Sequence, residues 1–192
     1  MADKVKIIKT EILSNQKYVL KKIEFEYAQK DGTRQIQTRE VYERGNGATI
    51  LLYNKEHKTV ILTQQFRIPT FLNGNKDGNL LEACAGIMEN ESAEECIKRE
   101  TEEETGYKLT EVKQVFEAYM SPGSVTEIIH FFIAEYSQEM KVSDGGGLKE
   151  EQENIEVLEI PFEQAFKMME TGEIKDAKTI MLLQYLKINQ LL

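Results

Sequence analysis

Apolar residues alternate with polar ones at the start of this chain and run together in its middle. Between Tyr18 and Tyr27, the residues Ile23, Phe25 and Tyr27 alternate with Lys22, Glu24 and Glu26, the period of a strand with one solvated face. Val5 to Leu13 reads as a strand before it. Asp31-Gly32 is a hairpin turn signal, and Arg34 to Tyr42 returns as a third strand. Gly45-Asn46-Gly47 then breaks the chain. Such a meander predicts a small antiparallel sheet of its own, packed on the main domain or on a second subunit.

Ala48 to Tyr53 and Thr59 to Phe66 differ in kind. They are continuous apolar runs joined by the turn-like Asn54-Lys55-Glu56-His57, as suits strands buried on both faces. A polar loop at Asn73 to Asn79 leads to a short strand at Leu80 to Ala83. After one clear helix, strands are predicted near Val112 to Tyr119 and Ile128 to Tyr136, then a long acidic, glycine-rich loop and a strand at Ile155 to Ile160. Pro161 opens a helix to Glu170, and Asp176 is the N-cap of a last helix through Leu191. The order is that of a mixed α/β domain, α+β-like, without the regular alternation of a doubly wound fold. The expected division is a β-strand region at 1–45 and a main domain at 46–192.

A chain of 192 residues is long enough for such a domain to have its own core. Its charge narrows the function. With 33 acidic against 24 basic residues, a net charge of −9 repels nucleic-acid backbones and anionic membranes, so neither is an expected partner. An anionic substrate would need local positive charge, from clustered Arg and Lys or from bound cations. Cys84 and Cys96 are too few for a disulfide framework and match no zinc spacing. They are expected to pack as small apolar groups in a reduced, cytoplasmic protein. The N-terminus lacks the apolar core of a signal peptide, and no apolar run reaches the length of a membrane span.

The informative stretch runs from Gly86 to Tyr107. Ser92-Ala93-Glu94-Glu95 is a capping box, so a helix should begin at Ala93 and stop at Gly106. Ala93, Cys96 and Ile97 define its buried face by their spacing. One turn on, the same face carries Glu100, then Glu103 and Glu104. Each like-charge pair three or four residues apart costs a few tenths of a kcal/mol, and more as solvent is excluded. Arg99, four residues after Glu95 and four before Glu103, offsets only part of this. Hard divalent cations solve the problem, because Mg²⁺ takes oxygen ligands, keeps several waters and bridges carboxylates to phosphate.

Gly86, Glu91 and Arg99-Glu100-Thr101-Glu102-Glu103-Glu104-Thr105-Gly106-Tyr107 closely resemble the Nudix box, G-x5-E-x7-R-E-U-x-E-E-x-G-U, where U is a bulky apolar residue. The loop between Gly86 and Glu91 is one residue short, which leaves Glu89 and Glu91 as alternatives for the loop acid, and Thr101 stands where an aliphatic residue is usual. Further stretches resemble the ADP-ribose/GDP-mannose pyrophosphatase branch of that family: Arg39-Glu40-Val41-Tyr42, Arg44-Gly45-Asn46-Gly47-Ala48, Gln65-Phe66-Arg67, Met120-Ser121-Pro122-Gly123 and Thr126-Glu127. The resemblance implies a Nudix α/β/α sandwich with a mixed sheet, and a homodimer whose N-terminal strands contribute to the partner's site.

It also implies Mg²⁺-dependent hydrolysis, with Mn²⁺ as a substitute, of the pyrophosphate bond in a nucleoside diphosphate sugar. GDP-mannose, giving GMP and mannose 1-phosphate, is the leading substrate and ADP-ribose the rival. Carried over by position, the metal ligands would be Glu100, Glu104, Glu151 and the backbone carbonyl of Ala85. Substrate contacts would come from Tyr18, Arg39, Glu40, Arg67, Ala85, Gly86, Ile87, Glu104, Glu127, Glu150 and Asp176, with Lys178 a further candidate. Glu151 is the expected general base, because Gly145 to Gly147 would let its loop close over substrate, with Glu150 and Glu153 of the same acidic run as alternatives; Glu103, on the helix face of Glu100 and Glu104, is the other catalytic candidate.

Other chemistry is not supported. The three glycines are not followed by the Lys-Ser/Thr of a P-loop, Ser124 is not in a G-x-S-x-G elbow, and His130 reads as a packed strand histidine. A regulatory module that binds nucleotide sugars without turnover is the non-enzyme alternative. Such modules typically break the metal-binding acids, which are intact here.

Overall fold

The computed structural model describes residues 4–192, with the side chain of Glu151 outside the described part. Two compact units are formed. One comprises the chain up to Asn46 together with Tyr119–Ile128, and the other comprises Gly47–Ala118 and Ile129–Leu192.

The first unit is built on a three-stranded antiparallel meander, β1 (Val5–Asn15), β2 (Val19–Ala28) and β3 (Arg34–Glu43). Its turn follows from local chemistry: Asp31 Oδ1 accepts from the Thr33 backbone N–H and hydroxyl, and Gly32 takes a φ of +86°. β2 and β3 pair without a slip from Val19↔Glu43 to Ala28↔Arg34, whereas β1 is interrupted by two register shifts. The segment 119–128 joins at Tyr42, whose N–H donates to the Ser124 carbonyl (2.7 Å) and whose own carbonyl accepts from Thr126 N–H. That attachment is a long-range pairing and leaves no trace in local periodicity.

The second unit contains β4 (Gly47–Asn54), β5 (Thr59–Phe66), α1 (Ile68–Leu72), β6 (Asn79–Glu82), β7 (Cys84–Ile87), α2 (Ala93–Thr105), β8 (Lys113–Tyr119), β9 (Ile128–Glu135), β10 (Glu156–Pro161), α3 (Phe162–Thr171) and α4 (Ala177–Ile188). Its mixed sheet runs β10-β5-β4-β9-β8, with β6 paired to β5 and β7 to β4. β4 and β9 are parallel and every residue of β4 is buried, as its continuous apolar run predicts. Ala48, Ile50 and Leu52 of β4 pack with Phe132, Ala134 and with Cys96 and Ile97 of α2. Residues of opposite parity, such as Leu51 and Phe131, are equally buried, and Phe116 links Phe131 to Tyr185 of α4. Helices on both faces make the α/β/α sandwich. Among the described residues no helix is long and apolar enough to cross a membrane.

Two elements were not expected from the pattern. α1 is a single turn with a proline at its start, too short for periodicity to reveal. The strand read as Leu80 to Ala83 is in fact two strands that change partners at Ala83, because Thr63↔Glu82 is the last pair with β5 and Ile50↔Cys84 begins the pairing with β4.

The glycine loop also differs from its expected role as a hinge. Gly146 and Gly147 donate their N–H groups to the carbonyls of Glu104 and Glu103, at 2.9 and 3.1 Å. They therefore satisfy the free carbonyls at the C-terminus of α2. Gly145 sits at φ +69°, and a Cβ there would overlap the Glu104 carbonyl. Gly145→Ala should therefore lower unfolding free energy by about 1–3 kcal/mol, from the strained φ and the lost approach together. Urea denaturation measures this, and an unchanged midpoint would mean the loop is not pinned.

Candidate active site

The strand changes partners at Ala83, between Glu82, the last residue paired with β5, and Cys84, the first paired with β4. Side chains add contacts to the backbone on either side of that change. Thr63 Oγ1 donates to the Glu82 carbonyl (3.2 Å), Ala83 N–H to Thr179 Oγ1 (2.6 Å), Thr49 Oγ1 to the Cys84 carbonyl (2.9 Å) and Ala85 N–H to Glu104 Oε2 (3.4 Å). Gly86 follows, and a Cβ on it would overlap the side chain of Glu100. The box glycine is thus required by space, so that a carboxylate can lie against the strand.

α2 supplies the acids. Its capping box forms as read, with Glu95 turned back to Ser92 and unavailable to Arg99. Arg99 instead gathers Glu91 (2.6 Å), Glu103 (2.8 Å) and Glu100 (3.0 Å), which assigns the loop acid to Glu91, while Glu89 is exposed. Glu91 is the main reason the Arg99 guanidinium stays protonated far above its usual range. The buried stripe was expected to pass through all three box acids. It continues from Cys96 and Ile97 to Thr101, Glu104 and Thr105, leaving Glu100 and Glu103 on its flank. Thr101 can stand in a buried aliphatic position because its hydroxyl donates to the Ile97 carbonyl, leaving its methyl free to pack.

Glu104 is 2% exposed and no ion pair reaches it among the described residues. Burial pushes its carboxyl up to about 8, against the hydrogen bond from the Cys84 thiol; Glu100 and Glu153 push the same way as burial, and the charge of Arg67 opposes them. Burial likewise raises Glu100, against the pull of Arg99. Burial also lifts the thiols, Cys84 well above its ordinary value and Cys96 to about 12, which makes them packing groups.

Arg67 belongs to a buried network. Its Nε donates to Glu82 Oε2 (2.8 Å), while Glu82 Oε1 accepts from Lys178 Nζ (3.0 Å), which also meets Asp176 Oδ1 (3.0 Å). Asp176 is at the same time the N-cap of α4, accepting from Thr179 N–H. Burial works against the charge on Lys178, yet Glu82 and Asp176 together hold its pKa above the ordinary value. Ile87 is half-buried beside Gly86, and Glu150 is exposed on the loop. Glu153, an alternative to Glu151 as the base, turns inward and accepts from Leu148 N–H (2.9 Å).

The remaining expected contacts, Tyr18, Arg39, Glu40 and Glu127, lie in the first unit. Tyr18 packs edge-on to Tyr42 at 5.7 Å, with the Arg44 guanidinium 5.5 Å above its ring. Arg44 Nε is 3.3 Å from Glu127, which is 8% exposed. Arg44 thus joins Tyr18 to Glu127, a role that its place in the Arg44-Gly45-Asn46-Gly47 motif hinted at without specifying. Arg39 is extended along β3, bonded to the Thr38 carbonyl and Gln37, and Glu40 is exposed.

A divalent cation suits the acidic pocket. Glu100 and Glu104 are hard oxygen donors whose charge burial disfavours, and ions of this kind use one or two carboxylates while keeping waters. Among the described residues no three His, Cys, Asp or Glu side chains form a complete cage. An ion that shares its coordination sphere with water and phosphate needs none.

The raised carboxyl has a consequence for stability. Between its ordinary value of 4.5 and about 8, the native Glu104 retains a proton that the unfolded chain releases. Stability should fall as pH rises through that interval in EDTA, and the fall should be smaller in Glu104→Gln and on addition of a divalent salt. Thermal midpoints measured across the interval test this. Identical slopes in the two proteins would mean that native Glu104 titrates normally.

Comparison with known proteins agrees with the geometry. Residues 43–183 match the NUDIX domain, and residues 4–42 match the domain described as the GDP-mannose pyrophosphatase NudK N-terminal domain. Proteins named GDP-mannose pyrophosphatase from Shigella dysenteriae serotype 1 (strain Sd197), Enterobacter sp. (strain 638) and Escherichia coli (strain K12) are each 53% identical over 192 residues, covering 100% of this chain and of theirs. NUDIX hydrolases generally use divalent metal ions. Since the match spans the desolvated carboxylates of α2, the strand they face and the helices around them, the chain belongs to the NUDIX hydrolase family.

Proposed function

We propose that this chain hydrolyses GDP-mannose to GMP and mannose 1-phosphate, with Mg²⁺ as its ion and Mn²⁺ as a working substitute. The observation that carries the reading is the pair Glu100 and Glu104, desolvated against the backbone of Ala85 and Gly86, with the charge of Arg99 acting on Glu100 and that of Arg67 on Glu104. Full-length similarity to proteins bearing that substrate's name supports the choice of nucleotide sugar.

In this reading Glu100, Glu104, Glu151 and the Ala85 carbonyl would hold the ion. When bound there, it would acidify a water and neutralise charge on the phosphate oxygens. Arg67 and Arg39 hold the diphosphate by charge-assisted hydrogen bonds. Gly86, lacking a side chain, lets phosphate approach the strand beside Ile87. Tyr18, Glu40, Glu127, Glu150 and Asp176 would be the further substrate contacts. A water oxygen bonds to one phosphorus as the bond to the bridging oxygen breaks, and a carboxylate takes the proton. Glu151 is the proposed base, with Glu150 and Glu153 as alternatives, and Glu103, bonded to Arg99, is the other catalytic acid. The active form proposed is a cytoplasmic homodimer. Ile7, Ile12 and Ile36, each more than half exposed on the three-stranded sheet, support it as apolar surface that association would cover.

Product release from a panel of nucleotide sugars and ADP-ribose, with Mg²⁺ and with EDTA, tests the assignment. GDP-mannose should lead and EDTA should stop turnover. A lead for ADP-ribose would move the substrate, and binding without turnover of any diphosphate would sink the catalytic reading. Glu104→Gln should remove activity by roughly a hundredfold or more while remaining folded by circular dichroism.

A further inference from the structure

Glu82 is not among the residues assigned above to substrate or metal, yet it is 4% exposed and both its carboxylate oxygens are engaged by cations. The geometry points to Glu82 as the positioning residue for Arg67, fixing its guanidinium so that the two terminal amino groups face the substrate's diphosphate. This inference rests on the reading of Arg67 as a phosphate ligand.

A guanidinium is planar and presents its donors in a fixed fork. Bonding at Nε therefore orients the whole group and leaves the terminal nitrogens on the far edge. Among the described residues no hydrogen bond to those terminal nitrogens competes, and the Arg67 side chain keeps 40% of its surface exposed. Glu82 is in turn held from behind. Lys178, 8% exposed, donates to Glu82 and lies 3.0 Å from Asp176, which is anchored as the α4 cap. With its Nζ between two carboxylates, Lys178 acts as the counter-charge of Glu82.

The formal charges of Arg67, Lys178, Glu82 and Asp176 cancel. A buried set of this kind contributes little net stability compared with apolar packing. What it does supply is orientation: β6, which ends at Glu82, fixes the arginine that begins the segment after β5.

Steady-state kinetics on the best nucleotide sugar of the panel, with Mg²⁺, form the test, using Glu82→Gln, Arg67→Ala and the double variant. The amide keeps the shape of Glu82 and loses its charge. Glu82→Gln should raise KM roughly ten- to a hundredfold with kcat changed less than about threefold, and should add less than about twofold when Arg67 is already Ala. Equal effects in both backgrounds would assign Glu82 a merely structural role and overturn the inference, as would an unchanged KM. If Arg67→Ala itself leaves KM unaltered, the phosphate reading of Arg67 fails first and visibly so. Should Glu82→Gln not fold, Glu82→Gln with Lys178→Met removes the ion pair as a neutral unit and is read against Arg67→Ala in the same way.

Discussion

The second unit depends on a strand that changes partners. At Ala83 the chain leaves β5 and joins β4, so Ala83 itself belongs to neither ladder. Buried backbone groups must nonetheless be paired. Thr49, Thr63, Thr179 and Glu104 pair them from four different elements, and each bond draws that element toward the same short stretch. Helix α2, helix α4 and strands β4 and β5 are thereby registered to the stretch from Glu82 to Ala85. Local backbone need and site geometry have one solution.

That solution forces an electrostatic conflict, which the fold retains. Arg99 could reach several acids, and it takes Glu91, Glu103 and Glu100 while Glu104 is left to the Cys84 thiol and one long backbone donor, with no ion pair among the described residues. An ionised group excluded from water without a partner is unfavourable, and its pKa moves to relieve the penalty. The pinned glycines add to the exclusion, because Gly146 and Gly147 close the end of α2 and bring Glu153 toward the same acids. Desolvated carboxylates arranged this way are of the kind that a divalent cation relieves. This is a usual relation between local strain and function.

Much of this was legible in the chain. The capping box, the αL glycine stop, the Asp31-Gly32 turn and the doubly buried β4 are set by interactions within a few residues, and each appears where its local signal stands. The box acids were legible for the same reason: a helix converts spacing directly into a face. What misled was extending one face through Glu100, Glu103 and Glu104 together. A helix turns 100° per residue, so the stripe from Ile97 passes to Thr101 and Glu104, and the neighbours fall to the flank.

The sequence by itself determined the local elements, the acidic helix and the family, because capping, turn and periodic signals act over short separations and the box is a short-range code. Only the tertiary structure decided which acid is left unpaired, why Gly86 and Gly145 must lack side chains, that 80–87 is two strands, and that Glu82 ties Arg67 to Lys178. The two contacts of Glu82 join residues 15 and 96 positions apart. Such partners are chosen by the packing of whole elements, and no window along the chain contains both of them.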